Sequence, residues 1–193
     1  MKKVPYRYTL PIKPKEYLKQ GRNHCGVYTV KGIMSALEQD IYKDPRDYHI
    51  SLFGKVSGAL LPGGLSKVLK HHRLDPTIKK ADNLPDKQKL EILKKELLRG
   101  YPVILAVGNG YKEDGSYSGF KASYTGHWIS LWGFDDRKKV FYLYDSAAPL
   151  VSWNRSIPIG NVKRTYSQVL RDWHGSFYMW NRRYLYISLF GKK

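Results

Sequence analysis

Three apolar runs in the second half of the chain, Pro102–Val107, His127–Phe134 and Lys139–Tyr144, limit the fold more than any other feature. Pro102-Val-Ile-Leu-Ala-Val107 is apolar without a break, as a strand covered on both faces must be, and proline is tolerated at a strand's first residue. The other two runs are joined by the polar turn Asp135-Asp136-Arg137-Lys138 and read as an antiparallel hairpin. Tyr184–Phe190 adds a last alternating strand, which Gly191-Lys192-Lys193 terminates.

The first half supplies helices. Val27, Val30, Ile33, Met34 and Leu37 recur at helical spacing, so residues 25–38 are expected to form a helix, with Tyr28 and Lys31 on its more exposed side. Leu65, Val68 and Leu69 predict a second helix over 64–72. Residues 86–99 predict a third, with Leu90, Leu93, Leu97 and Leu98 buried, Asp86 as cap and Gly100 just past the end. Tyr166–Trp173 predicts a short fourth. Residues 39–60 carry only turn signals around Asp44-Pro45 and a short mixed run at 49–53, and residues 150–163 read as irregular. Residues 108–125, rich in Gly, Ser and Tyr, read as a long loop leading to His127 and forming one lip of a cleft. Residues 1–19 are basic and interrupted by prolines, an arm laid over the body with Tyr6–Leu10 able to form a short strand. Helices followed by antiparallel strands give an α+β class, helices packed on a twisted sheet, in one domain over residues 1–193.

The formal net charge is +18 at pH 7. The Lys and Arg residues are spread rather than blocked, which argues against nucleic acid as the physiological partner. The same field suits an acidic peptide, a cell-wall polymer or a membrane surface. One cysteine excludes an internal disulfide and any cysteine-clustered metal site. His71 and His72 are adjacent and point to different sides of a helix, a poor metal pair, and Gly108-Asn109-Gly110 lacks the lysine of a phosphate loop. No cofactor is expected. No run is long enough to span a bilayer, and no apolar region follows Met1-Lys2-Lys3. A cytoplasmic protein is the expectation, with a secreted or surface-associated one the alternative.

The lone cysteine then acquires interest. Gln20-Gly-Arg-Asn-His24-Cys25-Gly26 passes from a polar segment into the first helix, so Cys25 falls on its first turn. Unpaired backbone N–H groups and the positive end of the helix dipole favour a thiolate there. His127 opens the first strand of the hairpin and Asp145 follows the second. In an antiparallel pair the start of one strand lies beside the end of the next, so these two are expected neighbours, the aspartate fixing the imidazole tautomer. Gln20, five residues before Cys25, has an amide that can reach an oxyanion formed at the thiol. Each residue also has an ordinary reading: a small core hydrophobe, a core or solvated histidine, a turn aspartate, a loop amide.

Gln20, Cys25-Gly26 opening a helix, Gly126-His127-Trp128-Ile129 on a strand and Tyr142-Leu-Tyr-Asp145 on the next resemble the papain-like superfamily of cysteine peptidases. Within it they are most similar to the C39-like branch, the bacteriocin-leader-processing type and its stand-alone relatives. The resemblance implies a papain-like fold, with Cys25 as nucleophile, His127 as base, Asp145 orienting the histidine and Gln20 completing the oxyanion hole. The chain departs from the family pattern in having His24 where Asp usually precedes Cys-Gly, and Ser146 where Pro commonly follows the aspartate. The function so implied is hydrolysis of a peptide or amide bond through a thioacyl enzyme. The same triad serves an acyl transferase or deamidase, and a basic binding module with a peptidase-like fold is the alternative of a different class.

Overall fold

The computed structural model describes residues 4–175 and 181–191; Met1–Lys3 of the arm and the closing Lys192-Lys193 lie outside them. The uninterrupted apolar run becomes a strand at Val103–Gly108 (β3), buried at every residue. It lies between Gly126–Asp135 (β4) and Leu185–Gly191 (β7), both antiparallel to it. Leu74–Lys80 (β2) pairs with β7, Val140–Tyr144 (β5) with β4, and Val162–Thr165 (β6) with β5. The result is a seven-stranded antiparallel sheet in the order β2-β7-β3-β4-β5-β6, with Arg7–Thr9 (β1) paired to the far end of β4. That pairing depends on Gly133, because a Cβ there would stand 2.6 Å from the Tyr8 carbonyl oxygen.

Two groups of helices pack on the sheet. Cys25–Ala36 (α1) lies on β4 and Pro62–His71 (α3) on β2, in contact with each other. Asp86–Leu97 (α4) and Tyr166–Trp173 (α6) lie on β3 and β4, again in mutual contact. Leu52–Ser57 (α2) and Gly119–Tyr124 (α5) are short helices at the surface. Among the described residues, Trp132, Trp173, Tyr48, Tyr144, Phe134 and Phe141 are the largest fully buried side chains. Burying such groups contributes roughly 2–3 kcal/mol each, which explains why a chain without a disulfide holds this sheet. Among the described residues no helix is long and apolar enough to cross a membrane.

The α+β arrangement of helices on a twisted antiparallel sheet agrees with the sequence reading, and local details differ for identifiable reasons. Lys31 is buried, not exposed, because its Nζ donates at 2.6 Å to both Asp40 Oδ2 and the Tyr42 carbonyl of the returning chain. Leu98 falls beyond the end of α4 and is partly exposed, while Lys89 and Lys94 are buried on that helix. Lys94 meets Asp136 at 2.6 Å and Lys89 lies 3.6 Å from the Tyr184 ring centroid, which compensates their desolvation. Asp86 is the first helical residue and not the cap, which is Pro85. The segment 39–60 holds a 3₁₀ turn, Pro45–Tyr48, and the helix α2, whose Ser51 hydroxyl accepts from the Gly54 N–H. The loop 108–125 likewise ends in α5, capped by Ser118. Within 150–163 lies a 3₁₀ turn, Leu150–Ser152.

Candidate active site

Cys25 is the first residue of α1 and is buried to within 9 % exposure. His24 caps the helix with its backbone alone, and the first turn carries no acidic side chain. The orphan N–H groups and the positive helix end at the thiol are therefore not neutralised locally. Gly26 keeps the next turn narrow: a Cβ there would come within 2.9 Å of Leu60 Cδ1, which walls the space above the thiol.

The hairpin acts as expected. β4 and β5 pair from Asp135↔Val140 back to Ser130↔Tyr144, with a bulge between Leu131 and Gly133. His127, opposite Val107 on β3, and Asp145, the residue after β5, therefore meet at one end of the sheet. His127 Nε2 lies 2.7 Å from Asp145 Oδ1, both groups fully enclosed. Asp145 leaves the other ring nitrogen free, and the Cys25 thiol is near enough to act on the imidazole's pKa. Burial disfavours the imidazolium, but the Asp145 charge, its hydrogen bond and the thiol outweigh it and raise the His127 pKa to about 10. Burial also penalises the Asp145 carboxylate; His127 and Arg164 outweigh that penalty and hold it well below the usual range.

Gln20 reaches the same end of the sheet through Ser146. The Gln20 N–H donates to the Ser146 carbonyl at 2.8 Å, and the Ser146 hydroxyl donates to Gln20 Oε1 at 2.6 Å. With Oε1 turned to the Ser146 hydroxyl, the amide leaves its N–H donors for a ligand. Gln20, Cys25, His127, Trp128 and Ala147 line one cleft of about 430 Å³, with Arg182 at its edge. Asn109, Thr125 and Gly126 line it too, so the ends of the 108–125 segment form a lip. All four residues singled out in the sequence thus gather at one place.

The sequence model of the Peptidase_C39 like family matches residues 2–173. The chain belongs to this family. A crystal structure of a double glycine motif protease from an AMS/PCAT transporter, in complex with the leader peptide, is similar in fold: TM-score 0.56, 12 % identity, 95 % of each chain covered. The peptidase domain of Streptococcus ComA, a bi-functional ABC transporter involved in a quorum-sensing pathway, gives TM-score 0.52 and 12 % identity, over 92 % of this chain and 98 % of that one. At such identity the likeness is one of fold. Curated proteins give no match.

In this C39-like chain the two departures noted in the sequence have distinct surroundings. Ser146 anchors Gln20, a bond proline could not donate. His24 is half-buried with Nδ1 3.4 Å from His49 Nε2. Burial lowers both their pKa values, helped by Arg46 beside His24 and by His24 and Lys55 beside His49.

Sequence reasoning missed the shell behind Asp145. Asn161 clamps its backbone, Nδ2 donating to the Asp145 carbonyl at 2.8 Å and Oδ1 accepting its N–H at 2.9 Å. The Ala147 N–H donates to Oδ1 at 2.9 Å, and Arg164 Nη2 donates to Oδ2. Gly160 makes the clamp possible: its φ is +88°, and a Cβ there would overlap the Leu143 carbonyl. The only sequence signal for Arg164 was the alternation Val162-Lys-Arg164-Thr, which puts valine and arginine on one inward face.

Among the described residues no cluster of three or more His, Cys, Asp or Glu is arranged to hold a metal ion.

Proposed function

We propose that this chain is a cysteine peptidase or amidase that works through a thioacyl intermediate. The observation that carries the reading is the buried His127–Asp145 hydrogen bond of 2.7 Å, with His127 and Cys25 lining one cleft and the thiol among the groups that raise the imidazole pKa. Cys25 is the nucleophile, His127 the acid and base, Asp145 the group that orients the imidazole, and Gln20 an oxyanion donor. The thiolate, paired with imidazolium, attacks the carbonyl carbon. Negative charge develops on the carbonyl oxygen, beside the Cys25 N–H and the Gln20 amide. His127 passes its proton to the leaving amine, leaving a thioester on Cys25. It then takes a proton from water as that water attacks the thioester; the acid product leaves, and the released thiolate pairs again with the imidazolium. The same acyl-enzyme supports transfer when an amine replaces water, and deamidation when ammonia leaves. We assign this activity to one domain over residues 1–193, residues 1–19 being a basic arm.

The test is the rate of Cys25 alkylation by iodoacetamide as a function of pH, in the wild type and in His127→Ala. Fast labelling at neutral pH that falls by about 10²-fold or more in the variant is expected for a thiolate held by its base. Slow labelling that needs high pH and ignores His127 would leave a basic binding module with a peptidase-like fold.

The proposed substrate is an acidic peptide or protein segment, a cell-wall stem peptide included. The support is the net charge of +18 and the presence of Arg182 at the cleft. At physiological salt, attraction between exposed charges is largely screened beyond about 8 Å. Raising salt from 50 to 500 mM is therefore expected to cut kcat/KM on an acidic peptide by about tenfold or more, through on-rate. A flat response would remove charge steering and leave the chemistry untouched.

A further inference from the structure

Behind Asp145 the chain buries a cation that the cycle above does not use. Arg164 extends from β6 with its side chain 6 % exposed. Nη2 donates to Asp145 Oδ2, and Nη1 lies 3.3 Å from Asp172 Oδ2 on α6. Its guanidinium covers the Tyr111 ring at 4.2 Å from the centroid. Asp172, fully buried, also receives Arg171 Nη2 at 2.9 Å and the Tyr111 hydroxyl at 3.2 Å. From the cleft inward, the side chains run Cys25, His127, Asp145, Arg164, Asp172 and Arg171, alternating between groups that carry negative and positive charge.

Burying an ion pair so completely costs several kcal/mol per ion, which packing alone would not demand. The chemistry offers a reason. In the proposed cycle His127 is cationic while the thiolate waits and neutral after it has protonated the leaving group. In the neutral interval Asp145 would be a buried carboxylate with no cation beside it, and it would tend to take up the imidazole's remaining proton. Arg164 does not titrate, so its charge is present throughout. We propose that Arg164 is a positioning residue that holds Asp145 ionised through both states of His127, and that Asp172 sets how much of the Arg164 charge Asp145 feels. The inference rests on the proposed function. It deepens it, because Arg164 and His127 draw on one carboxylate from opposite sides and their balance sets the pH window of the thiolate–imidazolium pair.

Among the described residues, the charged and titratable groups that face this line are these. His127 faces Asp145 and Cys25, and the cleft edge carries Arg182. Asp145 faces His127 and Arg164. Arg164 faces Asp145, Tyr111 and Asp172. Asp172 faces Arg164, Arg171 and Tyr111, and Tyr117 lies within its field. His24, next to Cys25 in sequence, pairs with His49, near Arg46, Asp44 and Lys55.

The test uses iodoacetate on the full chain. Its carboxylate is drawn to imidazolium, so labelling needs both charges: it rises with pH as the thiolate forms and falls as His127 loses its proton. Arg164→Met removes a positive charge and is expected to move both limbs to higher pH by about one unit. Asp172→Asn removes a negative charge and is expected to move both limbs to lower pH by about half a unit. Arg164→Lys keeps the charge and is expected to stay within a few tenths of wild type. Arg164 acting only as scaffold would lower the rate without moving the limbs, or move both neutralised variants the same way; either result overturns the inference. Should Arg164→Met fail to fold, the shift of Asp172→Asn to lower pH beside a nearly unmoved Arg164→Lys profile decides it, an unmoved Asp172→Asn profile being fatal. A wild-type profile with no bell that His127→Ala leaves unchanged would instead defeat the proposed function itself.

Discussion

Cys25→Ala is expected to abolish hydrolysis of any peptide that the wild type cleaves, a loss on the order of 10⁶-fold, the scale seen when a nucleophile acting as one unit with its base is removed. The fold should be almost indifferent. Cys25 is a small side chain at the edge of the core, and alanine is a better helix former at the first turn of α1. The urea midpoint should therefore move little while turnover disappears. Measuring both on one preparation separates chemistry from stability. Hydrolysis that survives in Cys25→Ala would move the reaction elsewhere on the chain or into a contaminant. The measurement needs a peptide library for substrate, followed by the single best peptide.

Asp145→Ala is expected to be the most destabilising of the site changes, by about 3–5 kcal/mol in urea denaturation, because it strands Arg164 and His127 as buried groups without their carboxylate. The pH dependence of that loss identifies its cause. The folded-state pKa of Asp145 is held low by His127 and Arg164, so its contribution is present above the unfolded value near 4 and is lost as pH falls further. The His127 pKa is raised to about 10, so its contribution is complete below about pH 6.5 and is lost as pH rises through 10. The stability difference between wild type and Asp145→Ala should accordingly be widest between about pH 4 and 6.5 and narrow towards pH 10. A difference that widened with rising pH would mean that Asp145 does not hold His127 protonated.

Where the sequence was readable, one physical signal dominated. The run 102–107 had no polar residue to turn outward, so it had to lie in the middle of a sheet. The polar turn at 135–138 forced its flanking runs into a hairpin, and a hairpin brings the start of one strand beside the end of the next. The approach of His127 to Asp145 was legible for that reason, across a separation that no local pattern measures. Cys25 was legible because a polar, glycine-containing stretch opens a helix there. Missed features share a different cause. Lys31 looked exposed because helical periodicity ranks side chains by polarity, while its burial depends on Asp40 and Tyr42 of a segment with no strong pattern. Segments such as 52–57 and 119–124 became helices, each with one serine cap, which weighs little against their mixed composition.

By itself, then, the sequence determined which residues could do the chemistry and at which end of a sheet two of them would meet, because strand alternation and hairpin connectivity are local properties with long-range consequences. Only the tertiary structure decided what stands behind them. Ser146 grips Gln20 across 126 positions, Asn161 clamps Asp145 from 16 positions away, and Arg164 joins that carboxylate to Asp172 on another element. Such contacts depend on how β6 and α6 lie against the hairpin, and the electrostatics of a buried carboxylate follow from what those elements bring to it.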